Sequence, residues 1–90
     1  MSRSELRSIL YVEDDLDIQT VAQIALEAVG GFNLKTCSSG HDAVAVVRDG
    51  LQPDLLLLDV MMPGMDGPTT LVELRKLEAT EQTPVIFMTA

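Results

Sequence analysis

The chain has 90 residues, a formal net charge of −8 and 47% hydrophobic residues, which fits one compact domain with a modest core and excludes a two-domain enzyme. Its 14 acidic residues against 6 basic ones repel phosphate backbones and anionic lipid headgroups, so charge disfavours direct binding to nucleic acid or to a membrane surface. Cys37 is the only cysteine, which excludes an intrachain disulfide and a multi-cysteine zinc site.

Ile9-Leu10-Tyr11-Val12 is a short apolar run closed by Glu13-Asp14-Asp15, the pattern of a strand buried on both faces. From Ile18, apolar residues recur at Val21, Ala22, Ala25 and Val29; this spacing predicts a helix with that stripe inward, stopped at Gly30-Gly31. Phe32, Leu34 and Thr36 alternate with Asn33, Lys35 and Cys37, as in a less buried strand at a sheet edge. Ser39 is placed to cap a helix carrying Ala43, Val44, Val46 and Val47 and ended by Asp49-Gly50. Leu55 to Leu58, after Pro53 and before Asp59, is a second buried strand. Met65-Asp66-Gly67-Pro68 opens a third helix with Leu71, Leu74 and Leu77 inward, and Pro84 to Thr89 is a fourth strand. The alternation implies right-handed crossovers and a parallel α/β sheet with helices on both faces.

No segment reaches the roughly 20 apolar residues of a membrane helix, and Arg3, Ser4, Glu5 and Arg7 leave no apolar core for a signal peptide. A cytoplasmic protein is expected.

Ligands of parallel sheets bind beyond the carboxyl ends of the strands, and that is where Glu13, Asp14 and Asp59 fall. If the two strands are neighbours, these carboxylates converge, and like charges ~4 Å apart repel by about 4 kcal/mol at an effective dielectric near 20. A hard divalent cation such as Mg²⁺ compensates such a cluster. Plain polar capping of two strand ends explains one acidic residue better than it explains three. An EF-hand loop starting at Asp15 fails because Thr20 stands where glycine is needed. Gly-rich phosphate loops are absent after the strands, and the only histidine, His41, sits in the first turn of an exposed helix. An Asp beside a bound metal can act as a nucleophile and take a phosphoryl group as an acyl phosphate. Thr89, at the end of the fourth strand, is placed to hydrogen-bond a phosphoryl oxygen, with Ala90 leaving space beside it. Met61, Met62 and Met65 offer a soft contact surface for a partner, and loop packing accounts for them equally well.

Ile-Leu-Tyr-Val-Glu-Asp-Asp at 9 to 15, Pro-Asp-Leu-Leu-Leu-Leu-Asp-Val-Met-Met-Pro-Gly-Met-Asp-Gly at 53 to 67 and Pro-Val-Ile-Phe-Met-Thr-Ala at 84 to 90 together resemble the receiver domain of two-component response regulators. The resemblance implies a flavodoxin-like fold with strand order 2-1-3-4. It implies Asp59 as phospho-acceptor, with Glu13, Asp14, Asp59 and the backbone carbonyl of Met61 holding Mg²⁺. Thr89 with Ala90 would form the switch that contacts the phosphoryl group, and Pro63, Gly64 and Gly67 would shape the loop after Asp59. The implied partners are a histidine kinase or a phosphotransfer protein, with no nucleic acid and no membrane.

The family's domain continues through another helix, a fifth strand and a final helix, so residues 1–90 are expected to be a single receiver domain incomplete at its C-terminus, without the lysine that ends the fifth strand. The fourth strand would then be an apolar edge open to a partner or a second copy of the chain. The leading expectation is a phosphorylation-controlled signalling module and not a turnover enzyme. The alternative is a phosphorylation-incompetent pseudo-receiver, or fragment, that serves as a docking module. A phosphohydrolase of the haloacid dehalogenase type needs a second Asp two positions after its nucleophile, where Met61 stands.

Overall fold

The computed structural model describes residues 7–89. Four strands form one parallel sheet: β1 (Ser8–Val12), β2 (Asn33–Cys37), β3 (Leu55–Asp59) and β4 (Val85–Met88), in the order β2-β1-β3-β4. This is the 2-1-3-4 order expected of a flavodoxin-like receiver. Three helices alternate with the strands: α1 (Leu16–Ile24, continued by one wider π turn at Ala25–Val29), α2 (Gly40–Arg48) and α3 (Gly67–Leu74). A short 3₁₀ turn, Glu78–Thr80, leads toward β4.

The apolar runs became the two central strands because only a strand flanked on both sides can bury side chains on both faces. Leu10, Tyr11, Val12, Leu56 and Leu58 are completely enclosed. Leu10, Val12, Leu56 and Leu58 meet Ala43, Val44 and Val47 of α2 and Leu74 of α3 in one core, with Cys37 and Met62 at its margin. Full burial of each such aliphatic side chain stabilises the fold by about 1.5–3 kcal/mol. β2 is an edge strand, as its alternation predicts: Asn33 and Lys35 are exposed, while Leu34 and Thr36 are half-buried. β4 is the other edge, with Ile86 and Phe87 exposed.

Each helix start is capped by a side chain. Asp15 accepts from the Asp17 and Ile18 N–H groups at 2.9 and 3.1 Å, Ser39 from Asp42 at 3.1 Å and Asp66 from Thr69 at 2.8 Å. Gly31 (φ 73°) takes the left-handed conformation that ends the π turn after α1. Helix α3 stops at Leu74, earlier than the Leu71-Leu74-Leu77 spacing predicts, and Leu77 packs against the core from the following turn. There Arg75 donates to the carbonyls of Thr80, Glu81 and Thr83 at 3.0, 3.3 and 2.6 Å, tying the approach to β4.

Helix α1 departs from the sequence expectation. Its predicted inward stripe is largely solvent-facing: Ile18 is 48%, Val21 69% and Val29 86% exposed. The half-buried side is Gln19, Ala22, Gln23 and Leu26, the same i, i+3, i+4, i+7 pattern moved by one residue, a rotation of about 100°. On this side the Gln19 amide donates to the carbonyls of Glu13 and Cys37, acceptors that hydropathy does not register. Among the described residues, no helix is long and apolar enough to cross a membrane.

Candidate functional site

The sheet register assembles the site before any side chain is considered. β1 and β3 pair in parallel with Val12 opposite Leu58, so Glu13, the first residue past β1, and Asp59, the last residue of β3, come side by side at one end of the sheet. β3 and β4 pair with Asp59 opposite Met88, which brings Thr89, the first residue past β4, to the same edge. Three loops therefore open at one end of the sheet, each carrying one part of the sequence-derived set.

Glu13, Asp14 and Asp59 each offer a carboxylate oxygen, and these atoms all lie within 4.8 Å of one another. Glu13 and Asp59 are 4% and 8% exposed, while Asp14 faces solvent. Asp15, the last residue of the acidic run, instead spends its carboxylate on the α1 cap. The Glu13 N–H donates to the Cys37 carbonyl at 3.0 Å, and its Oε2 accepts from the Asp15 N–H at 3.2 Å. Burial pushes the Glu13 carboxyl above its ordinary range, opposed by the Asp15 N–H and reinforced by the adjoining Asp59 carboxyl. Asp59 Oδ1 accepts the Met61 N–H at 3.3 Å.

The loop beyond Asp59 is held against the sheet. The Val60 N–H donates to the Met88 carbonyl and the Gly67 N–H to the Val60 carbonyl, both at 3.0 Å. Gly64 takes a left-handed turn (φ 80°) that side chains resist. At Gly67 a Cβ would collide with the Asp59 carbonyl oxygen and lie 3.0 Å from Val60 Cα, so glycine lets α3 start directly against the end of β3. The three methionines separate: Met61 is 76% exposed, Met62 belongs to the core and Met65 packs near Gly40. Met61, Met62, Pro63 and Asp66 line an open hollow of about 410 Å³.

Thr89 is exposed at the mouth of the site, and Ala90 lies outside the described residues. His41 is exposed, as expected. Two residues near the cluster escaped the sequence reading. The Tyr11 hydroxyl is buried without a hydrogen-bond partner, and burial together with Glu13, Asp59 and Asp15 pushes its pKa up to about 12. Its signal was available: it lies two residues before Glu13, hence on the same face of the strand, and it carries the only hydroxyl of that apolar run. The other is Gln19, which donates to the Glu13 carbonyl at 2.9 Å and has no motif to mark it.

A cluster of three carboxylates, two of them withdrawn from water, suits a hard divalent cation bound through oxygen, because it supplies the charge that the carboxylates lack. The residues present therefore fit Mg²⁺.

Comparison with known proteins agrees with this fold. Residues 9–90 match the response regulator receiver domain family. The chain is 44% identical over 85 residues to the transcriptional regulatory protein CpxR of Klebsiella pneumoniae subsp. pneumoniae (strain HS11286), covering 94% of this chain and 34% of that protein. It thus spans about a third of the length of the curated relative it matches. The receiver domain of sensor histidine kinase PA1611 from Pseudomonas aeruginosa PAO1, which has a magnesium ion coordinated in its active site cleft, is similar with TM-score 0.85 and 30% identity, over 96% of this chain and 69% of that one. The chemotaxis protein CheY4 of Vibrio cholerae shares the fold with TM-score 0.85 at 24% identity, over 92% of this chain and 68% of that one. With this match running through all four strands, the chain belongs to the response regulator receiver domain family.

Proposed function

We propose that this chain is the phospho-accepting receiver of a two-component phosphorelay, with Asp59 taking a phosphoryl group from a histidine kinase or a phosphotransfer protein in a Mg²⁺-dependent reaction. The observation that carries the reading is the convergence of Glu13, Asp14 and Asp59 within 4.8 Å. Glu13, Asp14, Asp59 and the Met61 carbonyl would hold the ion. When bound, it neutralises charge developing on the transferred phosphoryl oxygens. Met61 N–H engages Asp59 Oδ1, which leaves Oδ2 as the oxygen that attacks phosphorus. The near-complete burial of Asp59 limits the water that competes for the same phosphorus. The Thr89 hydroxyl would donate to a phosphoryl oxygen, and movement of Thr89 would carry the change to the surface.

In this reading the chain is one receiver domain, a cytoplasmic switch with at most self-phosphorylation and autodephosphorylation activity. The proposal includes no direct contact with nucleic acid or membrane. The test is incubation with Mg²⁺ and acetyl phosphate, followed by mass spectrometry. A base-labile phosphoryl adduct that disappears in Asp59→Asn supports the reading. No adduct, or one that survives the substitution, refutes it.

A second reading, a docking module without phosphotransfer, draws on the exposed apolar side chains of α1 (Leu16, Ile18, Val21, Ile24) and of β4 (Ile86, Phe87). Surfaces of this kind mark interaction sites, including pairing with a second copy along the β4 edge. It takes over if no adduct forms while the chain self-associates in sedimentation.

A further inference from the structure

Glu13 is restrained at three points. Its N–H is held by the Cys37 carbonyl at 3.0 Å, its carboxylate by the Asp15 N–H at 3.2 Å, and its carbonyl by the Gln19 side-chain amide at 2.9 Å. The first two bonds belong to the sheet and to the loop. The third comes from α1, and the same Nε2 lies 3.4 Å from both the Cys37 carbonyl and Ser38 Oγ. Because carbonyl oxygens only accept, the nitrogen of the amide must face them, so the orientation of this side chain is settled by its partners. The bond joins the start of α1 to the loops after β1 and β2, and it accompanies the one-residue rotation that leaves Ile18 and Val21 in solvent.

Resting on the metal-dependent reading of the site, we propose that Gln19 is a positioning residue: its amide fixes the peptide that carries Glu13 and Asp14, and so presets the carboxylate geometry into which Mg²⁺ binds. Mutually repelling carboxylates spread apart when their backbone is free. A restraint on the Glu13 carbonyl opposes that spreading, and less reorganisation is left to be done when the ion arrives.

The chain supplies its own reporter, since Tyr11 is the only tyrosine and there is no tryptophan. Mg²⁺ is titrated into the full chain while Tyr11 emission is followed, well below the melting temperature. Gln19→Met keeps length and helix propensity but cannot donate. Gln19→Glu adds a negative charge that, by electrostatics alone, tightens Mg²⁺ binding. The proposal expects both variants to bind Mg²⁺ more weakly, by about three- to tenfold for one lost hydrogen bond. Unchanged affinity in Gln19→Met, or tighter binding by Gln19→Glu, overturns it. If a variant fails to fold, nitrogen-15 NMR of the wild type decides. Gln19 side-chain amide protons that are protected from solvent and shift on Mg²⁺ addition support the proposal, and freely exchanging, unshifted ones overturn it. Absence of Mg²⁺ binding by the wild type is the separate result that defeats the underlying reading of the site.

Discussion

Replacing Asp59 by Asn should stabilise the metal-free fold and remove its response to Mg²⁺. Asp59 sits within 4.8 Å of carboxylate oxygens of both Glu13 and Asp14, and in the unfolded chain it is remote from both. At that distance and an effective dielectric of about 20, each fully ionised pair repels by about 3.5 kcal/mol. Two effects reduce this. Asp14 is open to solvent, which screens its share, and burial disfavours the charged form of the Glu13 carboxyl. A net gain of about 1–2 kcal/mol is expected for Asp59→Asn in EDTA, because the amide keeps an oxygen that can accept the Met61 N–H. For a domain of this size that corresponds to a melting temperature higher by about 5–10 °C. The assay is thermal unfolding by circular dichroism in EDTA and again in excess Mg²⁺. The wild type should gain stability from the ion and the variant should gain almost none, so their order narrows or inverts. A variant less stable than the wild type in EDTA, or stabilised equally by Mg²⁺, would show that the three carboxylates do not share one electrostatic site.

The remaining expectations concern pH, packing and the buried hydroxyl. Glu13 has a folded pKa raised above its ordinary value of 4.5, so its contribution is fully present below that pH and is lost as pH rises through the folded value. Asp54, held low by the Ser8 and Arg7 N–H groups, acts in the opposite sense and loses its contribution as pH falls below the ordinary aspartate value of 3.8. Metal-free stability should therefore peak in mildly acidic buffer, and Glu13→Gln should flatten the decline on the alkaline side in urea titrations. Gly67→Ala should cost about 2–3 kcal/mol in denaturant midpoint, because the new methyl meets the backbone of Asp59 and Val60; a neutral result would mean that α3 can shift freely. Tyr11→Phe removes a buried hydroxyl that has no partner and should be neutral or stabilising by up to about 1 kcal/mol; a clear loss in melting temperature would reveal a hydrogen bond to that oxygen.

The parallel sheet and its two central strands were legible because Ile9 to Val12 and Leu55 to Leu58 are continuous apolar runs, and only burial on both faces suits such a run. The caps at Ser39 and Asp66 were legible for a local reason, since a side chain reaching the backbone N–H three residues ahead needs no knowledge of the rest of the fold. The inward face of α1 was not. Apolar spacing favoured Ile18, Val21, Ala22, Ala25 and Val29, of which Ala22 alone is half-buried, and the helix settled one residue around, with Gln19 inward. Gly67 reads in the sequence as one of the residues that shape the loop after Asp59, whereas its close approach to Asp59 and Val60 depends on where the end of one strand meets the start of the next helix.

What the sequence determined by itself was the order of elements and the presence of carboxylates at two strand ends, because both depend on neighbours along the chain. The tertiary structure alone decided that Val12 pairs with Leu58 and Asp59 with Met88. Those registers bring Glu13, Asp59 and Thr89 to one edge, and a register is set by hydrogen bonds and packing between segments far apart in sequence, which no local pattern encodes.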